Sequence, residues 1–138
     1  MQLSCAAELA VRGAIVLAGE YGKGPVTLNA ICQRRDLPKQ YLVKIFASLG
    51  KADLVESTRG KRGGYALARP PGQISVLEII EAVEGPVVLN LCQYTPPKCD
   101  NVDCPLRPIW ARLQRIIRTE LAGVSLADCI RIGNDKSP

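Results

Sequence analysis

The stretch from Leu54 to Leu67 narrows the possible folds more than any other. Leu54-Val55-Glu56-Ser57-Thr58 and Tyr65-Ala66-Leu67 have the make-up of two short strands, with Arg59-Gly60-Lys61-Arg62-Gly63-Gly64 between them. The glycines supply the positive φ angles that a tight hairpin tip needs, and three basic side chains project from that tip. The chain ahead of the hairpin is helical by pattern. Leu3, Ala6, Ala7, Ala10, Ala14, Leu17 and Ala18 recur at helical spacing, which predicts a first helix from about residue 3 to residue 19. Gly22, Gly24 and Pro25 end it. Thr27 is a suitable N-cap for a short second helix with Leu28, Ile31 and Cys32 on its apolar face. After the turn Asp36-Leu37-Pro38, Pro38 opens a third helix that turns Tyr41, Leu42, Ile45, Phe46 and Leu49 inward and Lys39, Gln40, Val43 and Lys44 outward. A short helix, a tight turn, a helix with a basic outer face and then a basic hairpin predict a winged helix-turn-helix.

Charge supports that reading. Residues 1–65 carry ten Lys and Arg against five Asp and Glu, whereas residues 66–138 carry eight of each sign. The whole excess of +5 therefore lies in the first half, as expected of a face that binds a polyanion such as double-stranded DNA. Lys39, Gln40 and Lys44 on the third helix and Arg59, Lys61 and Arg62 on the wing are the candidate DNA contacts. The alternative, a solvated charge cluster on an ordinary hairpin, does not account for the preceding helices.

The second half is organised around Cys92-Gln-Tyr-Thr-Pro-Pro-Lys-Cys99-Asp-Asn-Val-Asp-Cys104, three thiols spaced C-x6-C-x4-C. Three soft ligands on a short loop suit an iron–sulfur cluster or Zn²⁺. A disulfide with one spare thiol, or simple core cysteines, are the other readings. Cys5, Cys32 and Cys129 fall on apolar helix faces and read as core thiols, with Cys5 one turn from Glu8. Before the loop, Ser75-Val76-Leu77-Glu78 has capping-box spacing and starts a helix with Val76, Leu77, Ile80 and Val83 on its core side. After it, Pro105 is placed to open a helix, with Cys104 at or beside its N-terminus and Asp103 as a capping candidate. Leu106, Ile109, Trp110, Leu113, Ile116 and Ile117 then form an apolar stripe longer than one small core requires, which predicts pairing with the same helix of a second subunit. Ser125-Leu-Ala-Asp128 resembles another cap before a short last helix, and the tail from Gly133 to Pro138 is expected to be loose. The expected fold class is thus mainly α with a small β-hairpin wing, a winged helix-turn-helix plus a long C-terminal dimerisation helix. The expected units are a DNA-binding domain over 1–85, a cysteine loop over 86–104, and a dimerisation helix and tail over 105–138.

Composition excludes several classes. No apolar run is long enough to span a membrane, and Glu8 and Arg12 interrupt the apolar N-terminus, so no export signal is expected. A reducing, cytoplasmic setting follows, where six cysteines do not form a disulfide framework. With no histidine and no catalytic carboxylate cluster there is no acid–base machinery, so neither enzyme activity nor a small-molecule substrate is expected.

Leu3-Ser4…Glu8-Leu9-Ala10, Ser57-Thr58-Arg59-Gly60…Gly63-Gly64-Tyr65-Ala66-Leu67-Ala68-Arg69-Pro70 and Ile74-Ser75-Val76…Glu81-Ala82-Val83-Glu84-Gly85, with the cysteine trio and the Trp110 helix, resemble the Rrf2 family of bacterial transcription regulators. The resemblance runs from about residue 1 to residue 130. It implies a homodimeric winged-helix regulator that reads a roughly palindromic operator and holds an iron–sulfur cluster, [2Fe–2S] or [4Fe–4S], through Cys92, Cys99 and Cys104. One branch of the family adds a histidine three residues after the last cysteine; here Arg107 stands there. Other members use a carboxylate near the N-terminus of the partner subunit, and Glu8 is at the matching position. The family's middle cysteine usually divides the loop equally, whereas here the gaps are six and four. The implied function is a regulator that senses redox state, nitric oxide or iron and cluster status. The alternatives are a regulator using zinc or reactive thiols, or an iron–sulfur electron-transfer or carrier protein, which would not need the basic wing.

Overall fold

The computed structural model of the protein describes residues 2–135. Its elements in chain order are α1 Cys5–Gly19, α2 Leu28–Arg35, α3 Lys39–Lys51, β1 Val55–Thr58, β2 Gly64–Leu67, α4 Val76–Glu84, α5 Arg107–Ala122 and α6 Leu126–Asp135. Short 3-10 turns at Pro71–Gln73 and Leu91–Gln93 precede and follow α4.

Helix α1 is the centre of the core, and its small side chains explain why. Ala7, Ala10, Gly13 and Ala14 are all buried, which lets α3, α4 and α6 lie close against it. A Cβ on Gly13 would stand 3.2 Å from the Phe46 ring, so α1 and α3 meet there at close packing distance. The helix begins at Cys5, not at residue 3, because Ser4 takes an extended backbone and its Oγ accepts from the Ala7 amide at 3.1 Å. Leu3 is left outside the helix and 51% exposed, against expectation.

Thr27 caps α2 as expected, accepting from the Ala30 amide at 3.2 Å. Asp36 ends α2 in the left-handed region at φ 50°, which a short polar side chain tolerates, and so makes the turn into α3. Pro38 is the residue before α3, not its first helical residue. Leu42, Ile45, Phe46 and Leu49 of α3 are buried, but Tyr41 is 57% exposed, contrary to the inward position expected. At about 100° per residue those four residues span one arc, and Tyr41 falls just beyond its edge, beside Lys44.

Strands β1 and β2 pair antiparallel with Val55 opposite Leu67 and Thr58 opposite Gly64. Tyr65 also exchanges two 2.8 Å backbone hydrogen bonds with Val26, so the hairpin is sewn to the segment that enters α2. Two of the glycines serve this close approach. A Cβ on Gly64 would lie 2.2 Å from the Val26 carbonyl oxygen, and one on Gly63 would lie 2.1 Å from that of Thr58. Gly60, at φ 112°, is the one that bends the tip.

The capping box at α4 forms as its spacing predicts: Glu78 N donates to Ser75 Oγ at 3.2 Å and Ser75 N donates to Glu78 Oε2 at 2.9 Å. Ile79, absent from the expected core face, is fully buried with Ile80. Ser125 and Asp128 repeat the device at α6, with Ser125 N donating to Asp128 Oδ2 at 2.9 Å. The two caps lie side by side, since Val76 N donates to Val124 O and Leu126 N to Ile74 O, both at 2.9 Å. Leu126 is thereby fully buried against α1. Gly133, Asn134 and Asp135, expected in a loose tail, form the last turn of α6; residues 136–138 of that tail lie outside the described residues. Among the described residues no helix is long and apolar enough to cross a membrane.

Candidate nucleic-acid interface and cysteine loop

Lys39, Gln40 and Lys44 sit on the outer face of α3, and Arg59, Lys61 and Arg62 on the tip joining β1 to β2; all six are exposed. Among the described residues the ion-paired arginines are Arg12, Arg34, Arg69, Arg118 and Arg131, and none of the five basic residues of this face has a carboxylate partner. Uncompensated cations on one face are what a phosphate backbone requires. A groove of about 530 Å³ separates α3 from the wing, lined by Val43, Ala47, Lys51, Ser57 and Tyr65. Tyr65 is held there by its ring, 4.7 Å from that of Phe46.

The cysteine loop leaves α4 at Gly85, whose φ of 82° makes the bend. Its first part is fastened by side chains. Val87 N donates to Glu81 Oε1 at 3.0 Å, Leu89 N to Gln114 Oε1 at 3.0 Å, and Leu91 N to Asn90 Oδ1 at 2.8 Å. Cys92 is the middle residue of the 3-10 turn Leu91–Gln93, and the Lys98 ammonium lies 4.0 Å from the centre of the Tyr94 ring. Cys99 and Cys104 lie in irregular chain. All three thiols are free and half-buried. Among the described residues no three Cys, Asp or Glu side chains gather closely enough to hold a metal ion in the single chain. Cys104 lies beside the N-terminus of α5, which begins three residues later, and Arg107 N donates to Cys104 O at 3.1 Å. Leu106 precedes the helix without a side-chain cap, so neither Pro105 nor Asp103 takes the part expected of it. Pro108 occupies the first turn in Pro105's stead.

Glu8 lies exposed on the first turn of α1 and pairs with Arg12 one turn on. Cys5, expected in the core, is exposed. Cys32 is half-buried against the core, and Cys129 is half-buried on α6. Burial, helped by the Asp128 carboxylate, pushes the Cys129 thiol up, so it stays protonated at neutral pH.

Helix α5 has no buried residue. Leu106, Ile109, Leu113 and Ile116 are 40–49% exposed, while Trp110 and Ile117 are half-buried. Its attachment runs along the polar flank, where the Arg118 guanidinium grips the Glu81 carboxylate of α4 and Gln114 holds Leu89.

This arrangement has close counterparts among known proteins. The model of the Rrf2 family, described as an iron-dependent transcriptional regulator, matches residues 3–132. The chain belongs to the Rrf2 family. One similar Rrf2 relative is the HTH-type transcriptional regulator IscR of Xenorhabdus nematophila, 34% identical over 132 residues that cover 95% of this chain and 80% of that protein. Among solved structures, CymR (YrzC), the global cysteine regulator of B. subtilis, superposes with a TM-score of 0.81 at 29% identity, covering 94% of this chain and 95% of the other. The T. potens IscR gives a TM-score of 0.81 at 30% identity, covering 100% and 93%. This Rrf2 chain is accordingly a winged-helix transcriptional regulator that binds DNA, and not an enzyme. The side chains that fasten its cysteine loop, Glu81, Gln114 and Arg118, are functional candidates that spacing does not single out. Their partners lie up to 37 residues away along the chain, and pairings so distant leave no periodic trace.

Proposed function

We propose that this regulator works as a homodimer in the cytoplasm and couples operator binding to an iron–sulfur cluster held where its two subunits meet. The observation that carries this reading is the position of the free thiols of Cys92, Cys99 and Cys104: they sit on one loop next to a helix whose apolar stripe is uncovered in the single chain. A paired α5 would bury Leu106, Ile109, Trp110, Leu113, Ile116 and Ile117, and would set the cysteine loop of one subunit near the other. The donor set fits iron, being three thiols in no disulfide together with an exposed carboxylate. Cys92, Cys99 and Cys104 would hold the cluster with Glu8 of the partner subunit. When bound, the cluster supplies a centre that responds to oxidants, nitric oxide or iron supply. Glu8 has to leave Arg12 to serve as a ligand, and a carboxylate is a harder and weaker partner for iron than a thiolate. That tie between loop and α1 is therefore the weak link, and α1 packs directly on α3. A change at the loop can reach the DNA-contacting helix through one packed interface.

On DNA, Lys39, Gln40 and Lys44 enter the major groove, while Arg59, Lys61 and Arg62 follow the flanking backbone or minor groove. Selection from a pool of random duplexes tests this. The expected outcome is two related half-sites about one helical turn apart. Replacing Arg59, Lys61 and Arg62 together by Ala should weaken binding across sequences and flatten its salt dependence by about one unit for each phosphate no longer neutralised. Failure to enrich any paired site, or an unchanged salt slope, would contradict the assignment. A second reading rests on the thiols being free, half-buried and in no disulfide: the loop would then serve as a thiol switch or a zinc site acting on the same wing.

A further inference from the structure

Cys92 differs from the other two thiols of the loop in having its surroundings already built. Asn90 caps the 3-10 turn through Leu91 N, and Gln93 N donates to Asn90 O at 2.9 Å, which fixes the backbone on both sides of Cys92. Lys98 N closes the turn onto Leu91 O at 2.9 Å. The Gln93 side chain then folds back. Its Nε2 lies 3.2 Å from Cys92 Sγ and 3.3 Å from the main-chain oxygen of Arg107, the first residue of α5. Both neighbours are acceptors, so the nitrogen end of the amide, with its two N–H groups, has to face them. One amide thus donates to the first sulfur of the trio and to the start of the helix that carries the apolar stripe.

We infer that Gln93 is a positioning residue for Cys92: it ties Sγ to the start of α5 and donates a hydrogen bond to that sulfur. The inference rests on the metal-binding reading of the loop. A hydrogen bond to a ligating thiolate lowers the energy of the sulfur lone pair and makes it a weaker electron donor to the metal, so Gln93 tunes the site as well as ordering it. A side chain that only packed would order the loop without touching the electrons of the sulfur. The two roles therefore have different spectroscopic consequences.

Cobalt(II) titration of the reduced, metal-free full-length protein separates them, because thiolate-to-cobalt charge-transfer absorption reports the donor strength of the bound sulfur. Gln93→Leu keeps the bulk and removes the donor; the expected result is a charge-transfer band moved to lower energy and cobalt affinity weakened by about tenfold or more. Gln93→Lys restores a donor of similar reach and should bring the band back toward its wild-type position. A Gln93→Leu protein with the wild-type band and affinity overturns the inference, as does weakened affinity in both variants with no movement of the band, which is the signature of loop packing alone. If the wild-type protein shows no thiolate–cobalt band, the metal-binding reading fails first and takes this inference with it.

Discussion

Ser75 and Glu78 show how much a single pair can settle in a small core. Their reciprocal hydrogen bonds start α4, and Arg69 joins from the segment after the wing, 2.9 Å from the Glu78 carboxylate. Burial pushes the Glu78 carboxyl up, but the Ser75 amide, Arg69 and the Ser75 hydroxyl outweigh it and hold it below its ordinary value of 4.5. A carboxylate depressed in the folded state contributes stability above its unfolded value and loses it as pH falls through the folded one. The Tm gap between wild type and Glu78→Gln should therefore be widest near neutral pH and close as pH drops below 4.5; a gap independent of pH would contradict this account. Ser75→Ala should cost about 1 kcal/mol through the lost cap. Caps of this kind are readable from the chain at Thr27, Ser75 and Ser125 because donor and acceptor lie within three residues of each other. Tyr41 and Cys5 depart from their helical pattern because their exposure depends on how much of a helix face a distant element covers.

The wing is fixed at its base, not at its tip. Gly63 and Gly64 sit where the hairpin backbone crosses Thr58 and Val26, whereas the basic residues extend beyond into solvent. Gly64→Ala places a methyl group where the Val26 carbonyl already stands, and should cost about 2 kcal/mol or more while loosening the wing and weakening DNA binding. Gly72→Ala, with nothing within 4 Å of the added carbon, is the matched control and should be near neutral in both thermal melts and DNA binding. Equal effects of the two substitutions would show that the base of the wing is not constrained as described. The need for glycine here is legible in the sequence; its cause is not, because the Val26 rung joins segments 39 residues apart. The cysteine loop presents the same contrast. Its thiol spacing is plain in the chain, but the anchors Glu81–Arg118 and Leu89–Gln114 appear only once α4 and α5 lie side by side.

The whole chain divides its labour between a self-sufficient core and an exposed helix. Every fully buried hydrophobic residue among those described belongs to α1–α4, α6, the hairpin or their connections, and none to α5. Leu113→Asp should therefore turn a dimer into a folded monomer in sedimentation, with helix content retained by circular dichroism. A wild-type protein that sediments as a monomer, or a Leu113→Asp protein that stays dimeric, would contradict the α5 interface. Helix periodicity makes this stripe visible from the sequence, because the proposed partner is a copy of itself and needs no second pattern. The proposed fourth ligand is not visible in that way, since Glu8 is 84 residues from Cys92 and is paired with Arg12 in the single chain. The most direct test of the central claim is the visible absorption spectrum of the protein purified without oxygen, with iron and sulfide assayed on the same sample. The account predicts bands between about 320 and 460 nm and matched iron and sulfide, all lost in a Cys92→Ser, Cys99→Ser, Cys104→Ser protein. A colourless protein, or one that carries zinc instead, would contradict it and leave a winged-helix regulator switched by other chemistry.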